Sequence, residues 1–346
     1  MVKKKAVEEE EATQAVSDNS HALTIAWSGI KKKYGDGIAS WLTDIPEDSG
    51  FDFIPTGSIS VDSALNGGFV RGRVVELFGD PASGKSTLAM STLAEANKMG
   101  LNGLYVDAEL SLDLRLPVAY GVDSSKFILI RDPLSAEEYF DIIEKFMSSG
   151  NIGVVVIDSV TALQPEAEGA GDVGDAHVAQ LARFISQEIR RIIRLAYKTN
   201  TLVLFVNQTR SKVGGYGDPT TTSGGDSLKF YSTHRVKISG GNSKASKLVD
   251  NTGVYGHTMN FSVVKNKIGI PWKTGEINLI YGQGYDKVEE MVNLGDQLGI
   301  IVRKGAWYEL WGKTHQGKDG IKAALTEDKE TYDKLYLEVR RMLGMK

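Results

Sequence analysis

The chain has 346 residues, of which 41% are hydrophobic and 24% charged, a composition typical of a globular protein with a large buried core. The absence of cysteine excludes disulfides and zinc–thiolate sites and fits a reducing compartment. A net charge of −4 gives no global sign of nucleic-acid binding, so any such binding must come from local basic patches.

The first fifty residues are predicted to contain a tail, a helix and a linker. Residues 1–20 are polar and charged and are predicted to be disordered. They lack the apolar segment of a secretory signal, and no apolar run in the chain could span a bilayer, so we expect a cytosolic protein without membrane contact. Helical periodicity predicts a helix over 21–34, and the polar stretch 44–52 predicts a linker.

A glycine loop between a predicted strand over 73–78 and a predicted helix over 86–99 carries the strongest chemical signal. Its sequence matches Gly-x4-Gly-Lys-Ser, in which the glycines let backbone N–H groups turn toward phosphate oxygens. Lys85 is expected to reach the β- and γ-phosphates of ATP, and Ser86 to bind Mg²⁺. The candidate ATP-binding residues of this stretch are Gly79, Asp80, Pro81, Ala82, Ser83, Gly84, Lys85, Ser86 and Thr87.

Predicted strands alternate with predicted helices from residue 56 to about 240, which favours an α/β domain with a largely parallel sheet. The other predicted strands of this part are 104–106, 127–130, 153–157, 201–206 and 235–238. Its other predicted helices are 60–66, 135–148 and 177–199. Beyond it, alternation predicts paired strands over 257–268 and 272–281, and helices over 287–298 and 329–343. We therefore expect a core over 51–283 and a small α+β domain over 284–346.

Acidic residues end two of the predicted strands. Asp158 follows an apolar strand about 75 residues after the glycine loop, the spacing at which an ATPase of this kind holds the magnesium shell. Glu109 ends another strand and could polarise the attacking water. Ordinary helix caps would also explain all three acids, Asp158, Glu109 and the neighbouring Asp107. The pairing with the glycine loop favours the magnesium role for Asp158, whereas both interpretations stay open for Glu109.

The predicted strand over 201–206 ends in amides, of which Gln208 could hydrogen-bond a γ-phosphate and sense ATP against ADP. The stretch 209–225 that follows is rich in Gly, Ser and Thr and could be a surface loop. It could also order on a nucleic-acid backbone, with Arg210 and Lys212 on phosphates and Val213 or Tyr216 against bases.

Two further basic groups are candidates for contact with nucleic acid or a neighbouring subunit. Arg183, Arg190 and Arg194 share one face of the predicted helix 177–199, which follows a second glycine-rich segment over 166–175. Lys265 and Lys267 share one face of a predicted strand and could reach a nucleotide on an adjacent subunit, although edge lysines often serve only to prevent aggregation.

With these motifs in order, the chain resembles the bacterial RecA recombinases from about Ile30 to Leu343. The resemblance extends beyond the glycine loop and includes short signatures along the chain: Thr56–Asp62, Gly174–His177, Asn207–Arg210, Thr222–Tyr231, Val264–Ile268 and Gly305–Tyr308. Two departures are a leucine, Leu116, where the family often stacks a tyrosine on adenine, and a second DNA loop one residue shorter than usual.

The resemblance implies a RecA-like ATPase core and a role for each motif. Glu109, Lys85 and Gln208 would be catalytic, and Ser86 and Asp158 would be linked to Mg²⁺. The ATP site would be completed by Asp113, Asp158, Gln208, Lys265 and Lys267. The subunit interface would include Lys229 and Phe230. Residues 21–50 would form an N-terminal oligomerisation arm. The implied DNA-binding residues are Gly169, Gly174, His177, Val178, Arg183, Arg190, Arg210, Lys212, Val213, Gly214, Tyr216, Thr222, Gly224 and Gly225.

The function that the resemblance implies is a DNA-dependent ATPase that forms a helical filament on single-stranded DNA. It would pair that strand with double-stranded DNA and exchange strands in recombination and repair. The first alternative is a ring helicase or repair-accessory ATPase with the same core, against which the 305–308 signature and the pair Lys265 and Lys267 argue. The second is a DNA-binding filament protein in which ATP is only a structural clamp.

Overall fold

A computed structural model of the chain describes residues 21–45, 50–166, 177–211, 220–241 and 243–345. The predicted disordered tail and four residues of the predicted linker lie outside the described residues. The chain comprises two compact units, Met1–Phe51 and Asp52–Lys346. In the first unit, helix α1 covers residues 21–34, where the periodicity places it, and Trp27 stacks on Trp41 with ring centroids 5.3 Å apart.

The strands of the second unit include all those that the sequence predicts, with ends shifted by a few residues. They are β1 (Phe53–Ile54), β2 (Phe69–Val70), β3 (Val74–Gly79), β4 (Asn102–Asp107), β5 (Phe127–Ile130), β6 (Ile152–Asp158), β7 (Leu202–Ser211), β8 (Thr220–Thr222), β9 (His234–Gly240), β10 (Lys247–Asp250), β11 (Gly253–Asn266), β12 (Thr274–Ile280), β13 (Gly284–Tyr285), β14 (Ile301–Lys304), β15 (Trp307–Leu310) and β16 (Lys313–Gln316).

The helices of this unit follow the predicted order with three additions, α4, α7 and α9. They are α2 (Ile59–Leu65), α3 (Lys85–Lys98), α4 (Arg115–Ala119), α5 (Ala136–Ser148), α6 (His177–Thr199), α7 (Ser227–Tyr231), α8 (Lys287–Gln297), α9 (Gly317–Glu327) and α10 (Lys329–Met342). Local chemistry sets the start of α5, where Ser135 and Glu138 form a reciprocal capping box. Among the described residues, no helix has the length and apolar character needed to cross a membrane.

One large sheet organises the second unit and confirms the predicted α/β class. Its strand order is β13-β12-β11-β9-β3-β7-β6-β4-β5, and the six strands from β9 to β5 are mutually parallel. Parallel strands end at the same edge of a sheet, so register places Gly79 opposite Gln208 and Asp107 opposite Asp158. The sheet thereby gathers the glycine loop and the acidic and amide strand ends at one edge.

Apolar side chains cover both faces of this sheet. One buried cluster packs α3 against it through residues such as Leu88 and Leu93, and a second packs α5 and α6 through Phe140 and Ile189. The continuous burial of β3 and β6 follows from coverage on both faces, as expected for parallel strands.

The C-terminal residues have their own apolar cluster beside a three-stranded antiparallel sheet, β14-β15-β16, that the sequence did not predict. Ile59 of α2 belongs to this cluster and therefore joins it to the rest of the unit. Glu290 of α8 adds a polar joint, because its buried carboxylate accepts hydrogen bonds from the Ser58 hydroxyl (2.5 Å) and the Ser60 N–H (2.9 Å).

Helix α10 offers a matched pair of leucines for testing this C-terminal core. Leu335 is fully buried, whereas Leu337 is 66% exposed on the same helix. We expect Leu335→Ala to lower the free energy of unfolding by about 2–5 kcal/mol because it leaves a cavity. Leu337→Ala should change it by less than about 0.5 kcal/mol. Urea unfolding of both variants measures the difference, and equal effects would contradict the described packing.

A buried acid near the same joint predicts a pH dependence of stability. Burial raises the pKa of Asp62 to about 8, opposed by a hydrogen bond from the Thr56 N–H and reinforced by the charge of Glu290. Because this pKa lies above that of the unfolded chain, its contribution to stability is complete below about pH 4 and is lost as the pH rises toward 8.

Asp62→Asn keeps the acceptor for Thr56 but cannot ionise, so the free energy of unfolding should fall less between pH 5 and pH 8 than in the wild type. Urea unfolding at both pH values measures this slope. Asp123→Asn is the control, because hydrogen bonds from Ser125 lower the pKa of exposed Asp123 to about 2 and it stays ionised over this range. Identical slopes for the wild type and Asp62→Asn would contradict the buried state of Asp62.

Candidate active site

The glycine loop joins β3 to α3, and its two glycines occupy positions that no other residue fits. Gly79 and Gly84 have φ angles of +155° and +103°. A Cβ atom on Gly79 would lie 1.8 Å from the Ile238 carbonyl oxygen, and one on Gly84 would lie 2.8 Å from Sδ of Met259. The loop therefore depends on glycine both for its backbone turn and for its close approach to β9 and β11.

Lys85 lies folded back over this loop. Its Nζ donates a hydrogen bond to the Asp80 carbonyl (2.6 Å), and the residue is only 7% exposed. Burial lowers the pKa of Lys85, while the nearby charges of Asp158 and Glu109 act in the opposite direction. A partly desolvated ammonium group beside the N-terminus of a helix favours an anionic ligand such as a phosphate group.

Asp158 ends β6 next to the glycine loop. Burial raises the pKa of its carboxyl group, and hydrogen bonds from the hydroxyls of Ser86 and Tyr105 oppose that rise. The Tyr105 hydroxyl lies 2.6 Å from Oδ2 of Asp158. Sequence reasoning missed Tyr105, because a tyrosine on an apolar strand is hard to distinguish from an ordinary core residue.

Ser86 and Asp158 form a suitable oxygen donor pair for Mg²⁺. The Ser86 hydroxyl lies close enough to Asp158 to lower the pKa of its carboxyl group, and Mg²⁺ is commonly held by one or two such protein oxygens together with phosphate oxygens. Within the described ranges, no group of three or more metal-binding side chains converges on one point. A magnesium ion at this pair would therefore take its remaining ligands from phosphate or water oxygens.

The two acids at the end of β4 have different environments. Asp107 is buried, accepts the N–H groups of Ser111 and Leu112 (3.1 Å each) and pairs with Arg131 at 3.4 Å. Glu109 is exposed, and its Oε1 accepts hydrogen bonds from the Ser159 hydroxyl and from Nε2 of Gln208 (2.9 Å). Asp107 thus stabilises a turn, while Glu109 faces the residues at the ends of β6 and β7.

The end of β7 is bonded directly to the glycine loop. Gln208 contacts Glu109, and the next residue, Thr209, donates its hydroxyl hydrogen to Oδ1 of Asp80 (2.7 Å). The bond between Asp80 and Thr209 therefore connects the glycine loop to the strand that leads into the segment 212–219. Sequence reasoning identified Gln208 but missed Thr209, whose contact depends on the β3–β7 register.

A buried polar network lies on β3, β7 and β9, just before the carboxyl ends of β3 and β7. Glu76 of β3 is fully buried, and its carboxylate accepts hydrogen bonds from Nδ2 of Asn207 (2.9 Å) and Nε of Arg235 (2.5 Å). Asn207 also donates to the Ser223 carbonyl (2.9 Å), which connects β7 to the chain segment after β8. The sequence offered one signal for this network, a glutamate within an otherwise apolar strand.

The two predicted interface lysines contact α7. Nζ of Lys265 donates to the carbonyl oxygens of Lys229 (2.5 Å) and Phe230 (2.7 Å), and Lys267 reaches that of Tyr231 at 3.5 Å. Burial, and then the charges of Lys267 and Arg235, lower the pKa of Lys265 to about 8. Phe230 is 72% exposed, so a large apolar ring is accessible beside the lysines.

The structure describes about half of the predicted DNA-binding residues. Arg183 and Arg190 are exposed on α6, Arg210 is exposed at the end of β7, and His177 and Val178 begin α6. Gly224 and Gly225 have φ angles of +80° and +74° and follow buried Thr222 by two and three residues. A Cβ atom on them would lie 3.1 Å from Val160 and 3.0 Å from Ala182 respectively. The remaining predicted residues lie outside the described residues: Gly169, Gly174, Lys212, Val213, Gly214 and Tyr216.

Asp113 and Leu116 lie near the start of α4. Asp113 pairs with Arg115, whose Nη2 lies 2.6 Å from Oδ2, and hydrogen bonds from Arg115 lower the pKa of Asp113 to about 2. Leu116 is half-buried. An ionised carboxylate and an apolar side chain are therefore present where the sequence predicts contacts with a nucleotide.

Comparison with known proteins gives matches over nearly the whole chain. The family model of the RecA N-terminal domain matches residues 21–286, and that of the RecA C-terminal domain matches residues 289–344. The protein named Protein RecA from Chloroherpeton thalassium is 37% identical over 355 residues, covering 100% of this chain and 96% of the relative. Protein RecA from Francisella tularensis subsp. novicida is 39% identical over 325 residues, covering 93% and 89% respectively.

A solved structure supports the same fold. The crystal structure of the RadB recombinase superposes with a TM-score of 0.50 at 21% sequence identity, covering 67% of this chain and 98% of that chain.

The Glu76–Arg235 pair allows a test of the buried network. Arg235→Met removes the only cation bonded to the Glu76 carboxylate among the described residues, so the free energy of unfolding should fall by about 3–5 kcal/mol. Lys145→Met removes an exposed pair with Asp141 and should cost less than about 1 kcal/mol. Urea unfolding compares the two, and a similar small loss in both variants would contradict a buried, paired Glu76.

Proposed function

The chain belongs to the RecA family, and from that premise we propose that it is a DNA-dependent ATPase that forms a helical filament on single-stranded DNA. In this proposal it pairs the bound strand with double-stranded DNA and catalyses strand exchange in recombination and repair. One observation carries the link between the two activities. The hydrogen bond from Gln208 to Glu109 joins the predicted catalytic acid to the strand that leads into the predicted DNA loop.

The proposed chemistry uses groups at the carboxyl edge of the sheet. The backbone N–H groups of the loop 79–86, except at Pro81, which has none, and the ammonium group of Lys85 bind the phosphates of ATP. Ser86 and Asp158 hold Mg²⁺, which when bound neutralises charge on the β- and γ-phosphates. Glu109 accepts a proton from the attacking water, and Gln208, which is already within hydrogen-bond reach of Glu109, contacts the γ-phosphate.

The proposed coupling to DNA runs through both ends of the segment 209–225. At one end, Thr209 bonds to Asp80 of the glycine loop, and at the other, the Ser223 carbonyl bonds to Asn207. Loss of the γ-phosphate would release Gln208, and this segment would then hold DNA less tightly. Arg183, Arg190 and Arg210 supply positive charge for phosphate contacts on the exposed surface nearby.

The proposed filament uses two groups on the second unit and one on the first. Lys265 and Lys267 would contact ATP bound to the next subunit, and Phe230, beside Lys229, would insert its exposed ring into that neighbour. Residues 21–50 would act as the oligomerisation arm, with residues 51–283 as the core and 284–346 as the small C-terminal domain. A surface that contacts a different surface on the next copy generates a filament when the rotation does not close.

The alternative that ATP is only a structural clamp predicts the same binding without turnover. Glu109→Gln distinguishes the two, because the amide keeps the size of the side chain but cannot accept a proton. We expect single-stranded DNA to stimulate phosphate release by the wild type and the variant to lose about 10²–10⁴-fold of that rate. Binding of ATP and DNA should be retained.

Glu330→Gln, an exposed change on α10, is the matched control and should hydrolyse ATP like the wild type. Equal hydrolysis by the wild type and Glu109→Gln would remove the role of Glu109. A wild type without DNA-stimulated turnover would instead support the clamp. Electron microscopy with ATP and single-stranded DNA decides the remaining alternative, since a ring helicase forms closed rings and the proposed protein forms helical filaments.

A further inference from the structure

Tyr105 places a phenol group in the apolar interior directly beneath the proposed magnesium site. The side chain is 1% exposed on β4, and its ring packs against that of Phe127 with centroids 6.0 Å apart. Its neighbours on the strand, Leu104 and Val106, are purely apolar and fully buried. Packing alone would therefore be satisfied by phenylalanine, and the hydroxyl requires a separate explanation.

That hydroxyl donates a hydrogen bond to Oδ2 of Asp158, with 2.6 Å between the oxygens. A buried hydroxyl without a partner costs about 1–3 kcal/mol, so this bond offsets the cost of placing a polar atom in the core. The bond also restricts rotation of the Asp158 carboxylate about its Cβ–Cγ bond, because that rotation would break the hydrogen bond. Oδ1 of Asp158 is then held in a fixed direction.

The contact is one half of a reciprocal arrangement between β4 and β6. Tyr105 of β4 donates to Asp158 at the end of β6, while Ser159, the next residue, donates to Glu109 beyond the end of β4. The Ala108 N–H completes the connection with a bond to the Asp158 carbonyl (2.8 Å). The two carboxylates that the proposed function uses are thus each oriented by a hydroxyl from the other strand.

Of the two hydroxyls that influence the pKa of Asp158, that of Ser86 belongs to the glycine loop and is itself a proposed magnesium ligand. Tyr105 is held in the core and is not part of the loop. It can keep its hydrogen bond to Asp158 while the Ser86 oxygen binds the ion.

We propose that Tyr105 is a positioning residue for Mg²⁺-dependent nucleotide binding, whose hydroxyl orients Asp158 toward the ion held beside Ser86. This inference rests on the proposed function of the site. Tyr105 does not touch nucleotide or metal, and it acts only through the carboxylate. Its loss should weaken the contribution of Mg²⁺ to binding, while the affinity for nucleotide without Mg²⁺ should stay the same.

Tyr105→Phe in the full chain tests this, with a fluorescent ATP analogue bound first in EDTA and then over a Mg²⁺ titration. We expect the affinity in EDTA to equal that of the wild type. The gain in affinity on adding Mg²⁺ should fall about tenfold, as for other residues that orient a metal ligand.

Tyr139→Phe is the matched control, since Tyr139 is 3% exposed and its hydroxyl donates to the Asp132 carbonyl, with no contact to Asp158. This variant should show the Mg²⁺ dependence of the wild type. Thermal unfolding verifies that both variants are folded. Tyr105→Met, which fills a similar volume without a hydroxyl, replaces Tyr105→Phe if the latter does not fold.

Equal Mg²⁺ dependence of nucleotide affinity in the wild type and the Tyr105 variant would overturn the inference. A loss of nucleotide affinity that is the same with and without Mg²⁺ would also overturn it, because it would indicate that Tyr105 serves only in packing. A wild type whose nucleotide affinity does not respond to Mg²⁺ at all would contradict the proposed function of Ser86 and Asp158. The two failures are therefore distinguishable.

Discussion

The parallel pairing of β3, β7, β6 and β4 is the constraint on which the candidate site depends. In a parallel sheet every strand ends at the same edge, and here that edge collects the glycine loop, Gln208, Asp158 and Glu109. The pairing brings Ser159 and Gln208 within hydrogen-bond distance of Glu109, although 50 and 99 positions separate them from it along the chain. A shift of one residue in this register would direct each of these side chains to the opposite face of the sheet.

Buried charge is the second organising feature, because each ionised group at this edge requires a partner. Glu76 has Arg235 and Asn207, Asp158 has Tyr105, and Lys85 has the Asp80 carbonyl. Removing a charge from water costs several kcal/mol (about 20 kcal/mol in the idealised limit), so these partners are essential to the folded state. Since the partners come from different strands, the requirement connects β3 to β7 and β9, and β6 to β4. The proposed coupling between nucleotide and DNA uses the Asn207 part of this network, through its bond to the Ser223 carbonyl.

Much of the fold could be predicted from the sequence, and the exceptions share a physical cause. Long apolar or amphipathic segments such as β6 and α6 are predicted because their burial determines the periodicity of their residues. The exposed strand β16, with the sequence Lys-Thr-His-Gln, shows no apolar alternation. Its antiparallel partner β15, and β14 beyond it, escaped prediction too. For the candidate site, the motif residues could be predicted but their partners could not. Tyr105 resembles a core residue, and the role of Thr209 depends on which loop lies opposite β7.

The sequence by itself determined the chemical groups of this protein and the order of its main strands and helices, because glycine spacing and hydrophobic periodicity are local properties. The tertiary structure alone decided which groups meet. Two acids follow the same strand, and only the packing directs Asp107 to the turn at Ser111 and Leu112 and Glu109 to Ser159 and Gln208. Likewise, only the packing places Lys265 against the carbonyl oxygens of α7. The physical reason is the short range of the hydrogen bond, which requires its two heavy atoms to lie within about 3 Å of each other. Residues far apart in the sequence come that close only through strand register and helix packing.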